Sequence, residues 1–363
     1  MQLGIALNMP AEAGRSDAAV LREHMMLGDL AEPLGFDSLF VLEHHFSGYL
    51  LSPSPFETLA FYAGRTNRLM LGTAAIVLPW HDPIRVAEQI AVLDVMSDGR
   101  CIFAFGRGRS AAEFDGFRVP MQESRGRFVE AAEIVLRALT TDRFEYEGEF
   151  YRIPPVSIRP RPAFRPHERF YGAAMGRESI SVVARLGFGM LTSTQKTWAA
   201  LNSDASHFRE AASVAGKHPP GPIVLASISI AESRQQARDR AAEYFGREWG
   251  MIDEHYGFSG GRVANVPGYE SYEATELYFA QLADASFRAR ATTDYADLQI
   301  VGTPADCAEQ IDELHRVTEA GHIVLEFTFG GLPVGEAEAS MRLFANKVMP
   351  ALRSRQSRMP VSS

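Results

Sequence analysis

Residues 69–105 are LMLGTAAIVLPWHDPIRVAEQIAVLDVMSDGRCIFAF. The stretch opens on a compact apolar run, Met70–Ala75. It passes through an amphipathic helical pattern at 83–96 and closes on a second apolar run, Cys101–Phe105. That is one strand–helix–strand unit. The same alternation extends in both directions, with apolar runs at Leu3–Ala6, Ser38–Leu42, Phe170–Ala174, Gly189–Leu191, Ile223–Ile228 and Ile323–Phe327. Helical patterns lie near 56–65, 124–139, 177–186, 203–215, 231–248, 304–320 and 335–353, and one begins at a Ser16–Asp17 cap and ends at Gly35. The runs are apolar throughout, as expected of strands buried on both faces. Eight such runs with helices between them predict parallel pairing and right-handed crossovers. The expected fold is α/β, a (β/α)8 TIM barrel forming a single domain over 1–363.

A minimal barrel needs ~250 residues, and the chain has 363. Two segments take up the surplus. Residues 141–168 contain FEYEGEFYRI, a hairpin pattern with Gly148 at its turn, followed by the Pro-rich RPRPAFRPH. Residues 249–300 are rich in Tyr, Gly and Asp, with several candidate short helices. A long connection of this kind reads as an irregular, lid-like insertion on the catalytic face.

Composition narrows the function classes. The formal net charge is −9, which disfavours a nucleic-acid surface, because such a surface needs dense positive charge. Two cysteines, Cys101 and Cys307, form neither a disulfide framework nor a zinc cluster. The start MQLGIALNMP lacks a basic stretch followed by an apolar run, so no secretory signal is expected. No stretch approaches the ~18 apolar residues of a membrane span. The expectation is a soluble, cytoplasmic protein that binds neither nucleic acid nor membrane.

In a barrel, the residues following each strand converge on one mouth. Glu43-His44-His45-Phe46 follows the second strand. Adjacent residues of an extended chain point in opposite directions, so one histidine is expected to face the site. With no HExxH and no second carboxylate–histidine set, no metal is expected. Small residues, Thr73-Ala74-Ala75, end the third strand. They suit either close barrel packing or a flat ligand lying against the backbone. The fourth strand leads into Gly106-Arg107-Gly108-Arg109-Ser110-Ala111. This matches G-x-G-x-x-A, but about 100 residues into the chain, with three strands already before it. Its arginines are more informative. Arg107, Arg109 and Arg125 suit phosphate recognition in an otherwise acidic chain, unless they pair with surface carboxylates. After the fifth strand, Met175-Gly176-Arg177-Glu178-Ser179 is either an ordinary helix cap or an anion site. Phe46, Tyr49, Phe114, Phe117 and Phe329 fall near the same mouth and suit an apolar pocket.

The chain also resembles the bacterial luciferase-like family of flavin monooxygenases, most of all its α-subunit type. The segments that carry the resemblance are GFDSLFVLEHHF at 35–46, LMLGTAAIVLPWHDPIRVAEQIAVLDVMSDGR at 69–100, SR at 124–125, VGTPADC at 301–307 and ASMRLFANKVMP at 339–350. They run in the same order over nearly the whole chain. The resemblance implies a TIM barrel that takes FMN, as FMNH2, from a separate NAD(P)H:flavin reductase. It implies that O2 adds at the flavin C4a carbon and that the resulting hydroperoxide oxygenates a hydrophobic small molecule. It places His44 as the catalytic histidine and Glu43 beside the flavin. It places Ala74–Ala75 as a non-proline cis peptide under the ring, and Arg107, Arg125, Gly176 and Ser179 at the phosphate. Ala173, Gly106 and Met175 fall at cofactor positions. Phe46, Phe114, Phe117, Thr194 and Ser227 fall at substrate-pocket positions. A dimer through the helices near 56–65 and 83–96 is implied, between like chains or with a related one.

Three departures from the family pattern stand out. Gly106 replaces a reactive cysteine, Met175 and Gly176 replace acidic and hydroxylic residues, and Thr194 replaces a tryptophan. They point away from light emission and from a long-chain aldehyde. Two other readings share the barrel: a deazaflavin-dependent dehydrogenase and a non-catalytic flavin-binding or partner subunit.

Overall fold

Eight parallel strands close into a ring. They are β1 (Gln2–Ala6), β2 (Ser38–Val41), β3 (Met70–Thr73), β4 (Cys101–Gly106), β5 (Phe170–Ala173), β6 (Gly189–Ser193), β7 (Ile223–Ile230) and β8 (His322–Glu326). Each pairs with the next, and β8 returns to β1 with Gln2 opposite His322 and Ala6 opposite Glu326. This is a computed structural model, and it describes residues 1–11, 14–162 and 165–356. The chain forms an α/β TIM barrel, as the apolar runs predicted.

Alternation along the strands divides the core in two. Ala6, Phe40, Ile102, Ala104, Tyr171, Leu191, Leu225 and Val324 fill the barrel interior. Their neighbours Ile5, Leu39, Val41, Phe103 and Ile323 point outward and pack under the helices. Each aliphatic or phenyl side chain buried this way contributes ~1.5–3 kcal/mol.

The surrounding helices are α1 (Asp17–Ala31), α2 (Pro55–Ala63), α3 (Pro83–Met96), α4 (Ala111–Phe117), α5 (Ser124–Thr140), α6 (Arg177–Leu186), α7 (Trp198–Val214), α8 (Arg234–Tyr256), α9 (Glu273–Gln281), α10 (Ala285–Leu298), α11 (Pro304–Thr318), α12 (Val334–Leu343) and α13 (Met349–Gln356). Local chemistry fixes several of their starts. Ser16 accepts the Ala19 N–H, and Asp82 accepts the Ile84 and Arg85 N–H groups ahead of Pro83.

The expected hairpin forms from Phe144–Glu147 and Arg152–Val156, antiparallel, with Gly148 opening its turn. Residues 163 and 164 of the Pro-rich stretch lie outside the described residues. The reading of 249–300 as an irregular connection needs correction, because the segment is mostly helical. α8 continues past 248 to Tyr256 and is capped by Gly257 at φ +66°. A 3-10 turn, α9 and α10 follow, and Ile300–Gly302 then pairs with the end of β7. The physical reason is a second small core. Phe114, Trp249, Tyr256, Phe258, Tyr269 and Phe279 pack on one another and give these helices an apolar face of their own. α4 was not anticipated. No helix among the described residues is long and apolar enough to cross a membrane.

Candidate active site

The segment after β2 presents its two histidines to different surroundings. His44 Nδ1 lies 3.2 Å from His255 Nε2 and 3.6 Å from Glu113 Oε1, and His255 Nε2 lies 3.5 Å from the same oxygen. On its far side His255 Nδ1 is 2.7 Å from Ser47 Oγ. Glu113 Oε1 also accepts the His45 backbone N–H at 2.7 Å. Burial alone would raise the Glu113 pKa. Hydrogen bonds and charge from His255 and His44 outweigh it and bring the pKa down to about 2. Burial holds the His44 pKa below its ordinary value against the pull of Glu113. The rings of Tyr49 and Tyr256 stand edge-on to His44 at 5.0 and 6.1 Å. Three donor atoms, on His44, Glu113 and His255, lie within 4.8 Å of one another, close enough to share a proton or to ligate an ion.

Sequence reasoning missed Glu113 and His255. Glu113 carried a usable signal: Ser110-x-x-Glu113 is a capping-box pattern, and Ser110 Oγ does accept the Glu113 N–H at the start of α4. His255 carried none, since it depends on α8 running two turns further than its pattern indicated.

His45 turns the other way, with Nε2 2.9 Å from Glu43. The Glu43 carboxylate also takes His81 Nε2 at 2.6 Å and the Val77 N–H at 2.8 Å. Burial penalises its charge, and these three donors still hold its pKa below the usual value. Glu43 thus anchors the residues after β3, and its carboxylate is occupied by protein donors.

Ala74–Ala75 is a non-proline cis peptide at the end of β3. Beside it, a Cβ built on Gly106 would stand 3.6 Å from Ala75 Cβ and 3.9 Å from Ala173 Cβ. Ala75, Gly106 and Ala173 therefore make a small-walled, nearly featureless face. The cations lie along its edge. Arg107 donates to the Gly268 carbonyl at 2.9 Å and covers the Tyr269 ring at 3.8 Å. Arg125 pairs with Glu178 at 2.9 Å. Burial, and then the neighbouring Arg107 charge, lower the Arg125 pKa against the pull of Glu178. Tyr269 is itself tied down, donating to the Gly108 carbonyl and lying 2.9 Å from Ser124 Oγ.

The start of α6 is more self-contained than expected. Ser179 Oγ accepts the Gly176 N–H at 3.1 Å and donates to the Gly176 carbonyl, so this hydroxyl serves the cap. Met175 Sδ receives the Thr192 and Ser193 hydroxyls. Arg109 separates from the other two arginines and lies 4.3 Å above the Tyr256 ring, on the His44 side. The G-x-G-x-x-A stretch forms a strand end, a loop with Gly108 at φ +82° and a seven-residue helix within the barrel.

The residues expected in the substrate pocket scatter. Phe114 is buried against Trp80. Phe117 is half-buried and stacks on Trp80. Phe46 is 63% exposed and lies against Phe117. Thr194 Oγ1 and the Ser227 N–H both bond Gln299 Oε1, and Ser227 Oγ donates to Glu326.

Comparison with known proteins identifies the family and the fold. The luciferase-like monooxygenase family model matches residues 1–319. The alkanal monooxygenase alpha chain of Photobacterium leiognathi is 29% identical over 348 residues, 94% of this chain and 96% of that one. The crystal structure of monooxygenase RslO1 from Streptomyces bottropensis matches with TM-score 0.78 at 29% identity, covering 97% of this chain and 99% of that one. An F420-dependent secondary alcohol dehydrogenase in complex with an F420-acetone adduct matches with TM-score 0.73 at 17% identity, over 97% of this chain and 99% of that one, a likeness of fold alone. With a family match across most of its length and the barrel to go with it, the chain belongs to the luciferase-like monooxygenase family.

Proposed function

We propose that the protein is an FMNH2-dependent monooxygenase that uses O2 to oxygenate a small organic molecule, as one catalytic unit over 1–363. A single observation carries the reading: one barrel mouth holds a small-walled face beside Ala74–Ala75, a pair of arginines at its edge and a half-buried histidine, His44. The isoalloxazine ring fits the first and its phosphate the second. Reduced flavin, when bound, supplies the electrons that activate O2. Arg107 and Arg125 would hold the phosphate, with the start of α6 adding backbone N–H groups. His44, kept neutral by burial and oriented by Glu113 and His255, is suited to holding or moving a proton at Nδ1. Tyr49 and Tyr256 exclude water around it.

A separate NAD(P)H:flavin reductase would supply FMNH2. Phe61, Val92, Val95 and Met96 are exposed on α2 and α3, and they support dimerisation through that face. We assign the protein to the cytoplasm.

The test mixes the protein with FMNH2 and then with O2 in a stopped-flow spectrometer. The expected results are tight binding of FMNH2, weaker binding of reduced riboflavin, and reoxidation slower than that of free flavin. With substrate, one atom from 18O2 should appear in the product. Failure to bind FMNH2 would overturn the proposal. Hydride transfer to a deazaflavin without oxygen would replace it with a dehydrogenase.

A further inference from the structure

On the opposite side of the mouth from the arginines, β1, β7 and β8 end together. Glu326, the last residue of β8, lies opposite Ala6 of β1 and Ser227 of β7. Its carboxylate accepts Ser227 Oγ at 2.9 Å and Asn8 Nδ2 at 3.1 Å. Asn8 is only 6% exposed, and its Oδ1 has no hydrogen-bond partner among the described residues. Glu248 comes in from α8. At positions i, i+4 and i+7, Glu248, Ile252 and His255 share a helix face, and His255 already touches His44. The Glu248 carboxyl lies within electrostatic reach of Glu326, and its Oε2 is buried without a partner. Tyr49 connects the two halves. Its ring packs on His44, and both carboxyls act on its hydroxyl.

Two buried polar atoms without partners near one carboxylate are unusual in a core, since buried polar groups are nearly always hydrogen-bonded. We propose that Asn8, Glu248 and Glu326 form a polar subsite that takes a hydroxyl group of the substrate. This rests on the reading of the mouth as an oxygenase site and refines its substrate class, from a hydrophobic molecule to a hydroxylated one.

The choice of a hydroxyl follows from the donors and acceptors. Buried carboxyls within electrostatic reach of each other resist ionising together. Burial and the facing Glu326 push the Glu248 pKa up to about 8, and burial raises the Glu326 pKa as well, against the hydrogen bonds that Asn8 and Ser227 donate to it. The pair then offers one acidic O–H and one carboxylate, and Asn8 adds a carbonyl. A hydroxyl accepts from the first and donates to either of the others. A carbonyl only accepts. An ammonium only donates, leaves the acidic O–H without an acceptor, and meets the positive Arg109, which acts on Tyr49 and on Tyr295, a residue that also faces Glu248, Glu326 and Ser227.

The test measures binding of matched probes by calorimetry, with and without FMNH2. The pairs are phenol and anisole, 1-naphthol and 1-methoxynaphthalene, and octan-1-ol and 1-methoxyoctane, with 1-naphthylmethylamine as the cationic probe. In at least one pair the hydroxyl member should bind about tenfold tighter, the equivalent of one buried hydrogen bond. Glu248→Leu should abolish that preference. Glu248→Gln, which keeps a donor and an acceptor, should retain it, and thermal melting should show both variants folded. No preference in any pair, preference for the amine, or a preference that survives Glu248→Leu would each overturn the subsite. Failure of FMNH2 to bind is read separately and bears on the oxygenase reading alone.

Discussion

The two ends of the barrel are finished to different degrees. At the end where the strands begin, Arg100 of the MSDGR segment spends its guanidinium completely. Its Nε donates to the Ser97 carbonyl, Nη1 to Thr66 Oγ1 and the Leu69 carbonyl, and Nη2 to the Ala63 and Thr66 carbonyls, all at 2.7–3.1 Å. One side chain ties the C-terminus of α2 and the entry to β3 to the start of β4. At the end where the strands finish, Asn8 Oδ1, Trp80 Nε1 and Glu248 Oε2 are buried without partners among the described residues, and Arg107 and Arg125 repel each other. Ser38 Oγ and His322 Nε2 at the strand starts also lack partners among the described residues, so the contrast lies elsewhere: the lower end spends a cation on backbone carbonyls, and the mouth brings two repelling arginines and unpaired acceptors around one opening.

Exchanging the roles of the two ends would break this contrast. His44→Ala removes the histidine of the mouth. Turnover should fall ~10²–10⁴-fold, the range for losing a general acid or base, with FMN affinity within a few fold of the parent and stability lower by ~1 kcal/mol, since Glu113 keeps His255 and the His45 N–H. Equal losses of flavin binding and turnover in titrations and steady-state assays would make His44 a structural residue. Arg100→Ala does the reverse. It strands several carbonyls at once and should lower stability by ~3 kcal/mol or more in urea unfolding. Activity per folded molecule should stay near the parent's. A large drop in specific activity would show that the lower end also shapes the site.

Glu113→Gln falls between these, because Glu113 is a mouth residue that also contributes stability. Its carboxyl titrates near 2, against an ordinary 4.5. A depressed carboxyl stabilises the fold above its unfolded pKa, and that stability is lost as pH falls through the folded value. At pH 7 the variant should be less stable by ~2 kcal/mol, the scale of a charge-assisted buried hydrogen bond. The difference should shrink as pH falls from 4.5 toward 2. Urea unfolding across that window measures it. A difference that stays constant with pH would mean that the histidines do not hold the carboxylate.

Much of this was legible in the sequence, for identifiable reasons. Strands buried on both faces spell themselves as apolar runs, so Leu3–Ala6 and Ile323–Phe327 fell within a residue of β1 and β8. The placement of His44 beneath a strand end followed from the same runs. What the sequence hid depends on contacts distant in the chain. His255 meets His44 across 211 positions. Glu248 and Glu326 come together only because α8 extends over the mouth. Ser179 looked available for an anion, but its hydroxyl closes on its own helix. Phe46 looked like pocket lining from its neighbours in sequence, but a backbone turn at φ +60° carries it outward. Local patterns report which face of an element is buried. They do not report which distant side chain arrives there.

The mildest change tests the small-walled face directly. Gly106 sits where the rest of the mouth has alanine, and its φ is not in the left-handed region. An added methyl meets Ala75 and Ala173 Cβ at 3.6 and 3.9 Å, ordinary contact distances. The same change at Gly72 of β3 would put a Cβ 2.2 Å from the Phe40 ring, inside the packed barrel. Gly106→Ala should therefore leave stability within ~0.5 kcal/mol of the parent or raise it slightly, because alanine loses less backbone entropy on folding. Thermal melting of the two variants side by side makes the comparison, with Gly72→Ala lower by ~1–3 kcal/mol from overpacking. If Gly106 instead proves as intolerant as Gly72, the mouth is packed as tightly as the interior, and no flat ring can lie against Ala75 and Ala173. If it is tolerated and FMN affinity changes by less than about threefold, by ~0.65 kcal/mol, the face has room for both the methyl and the ring.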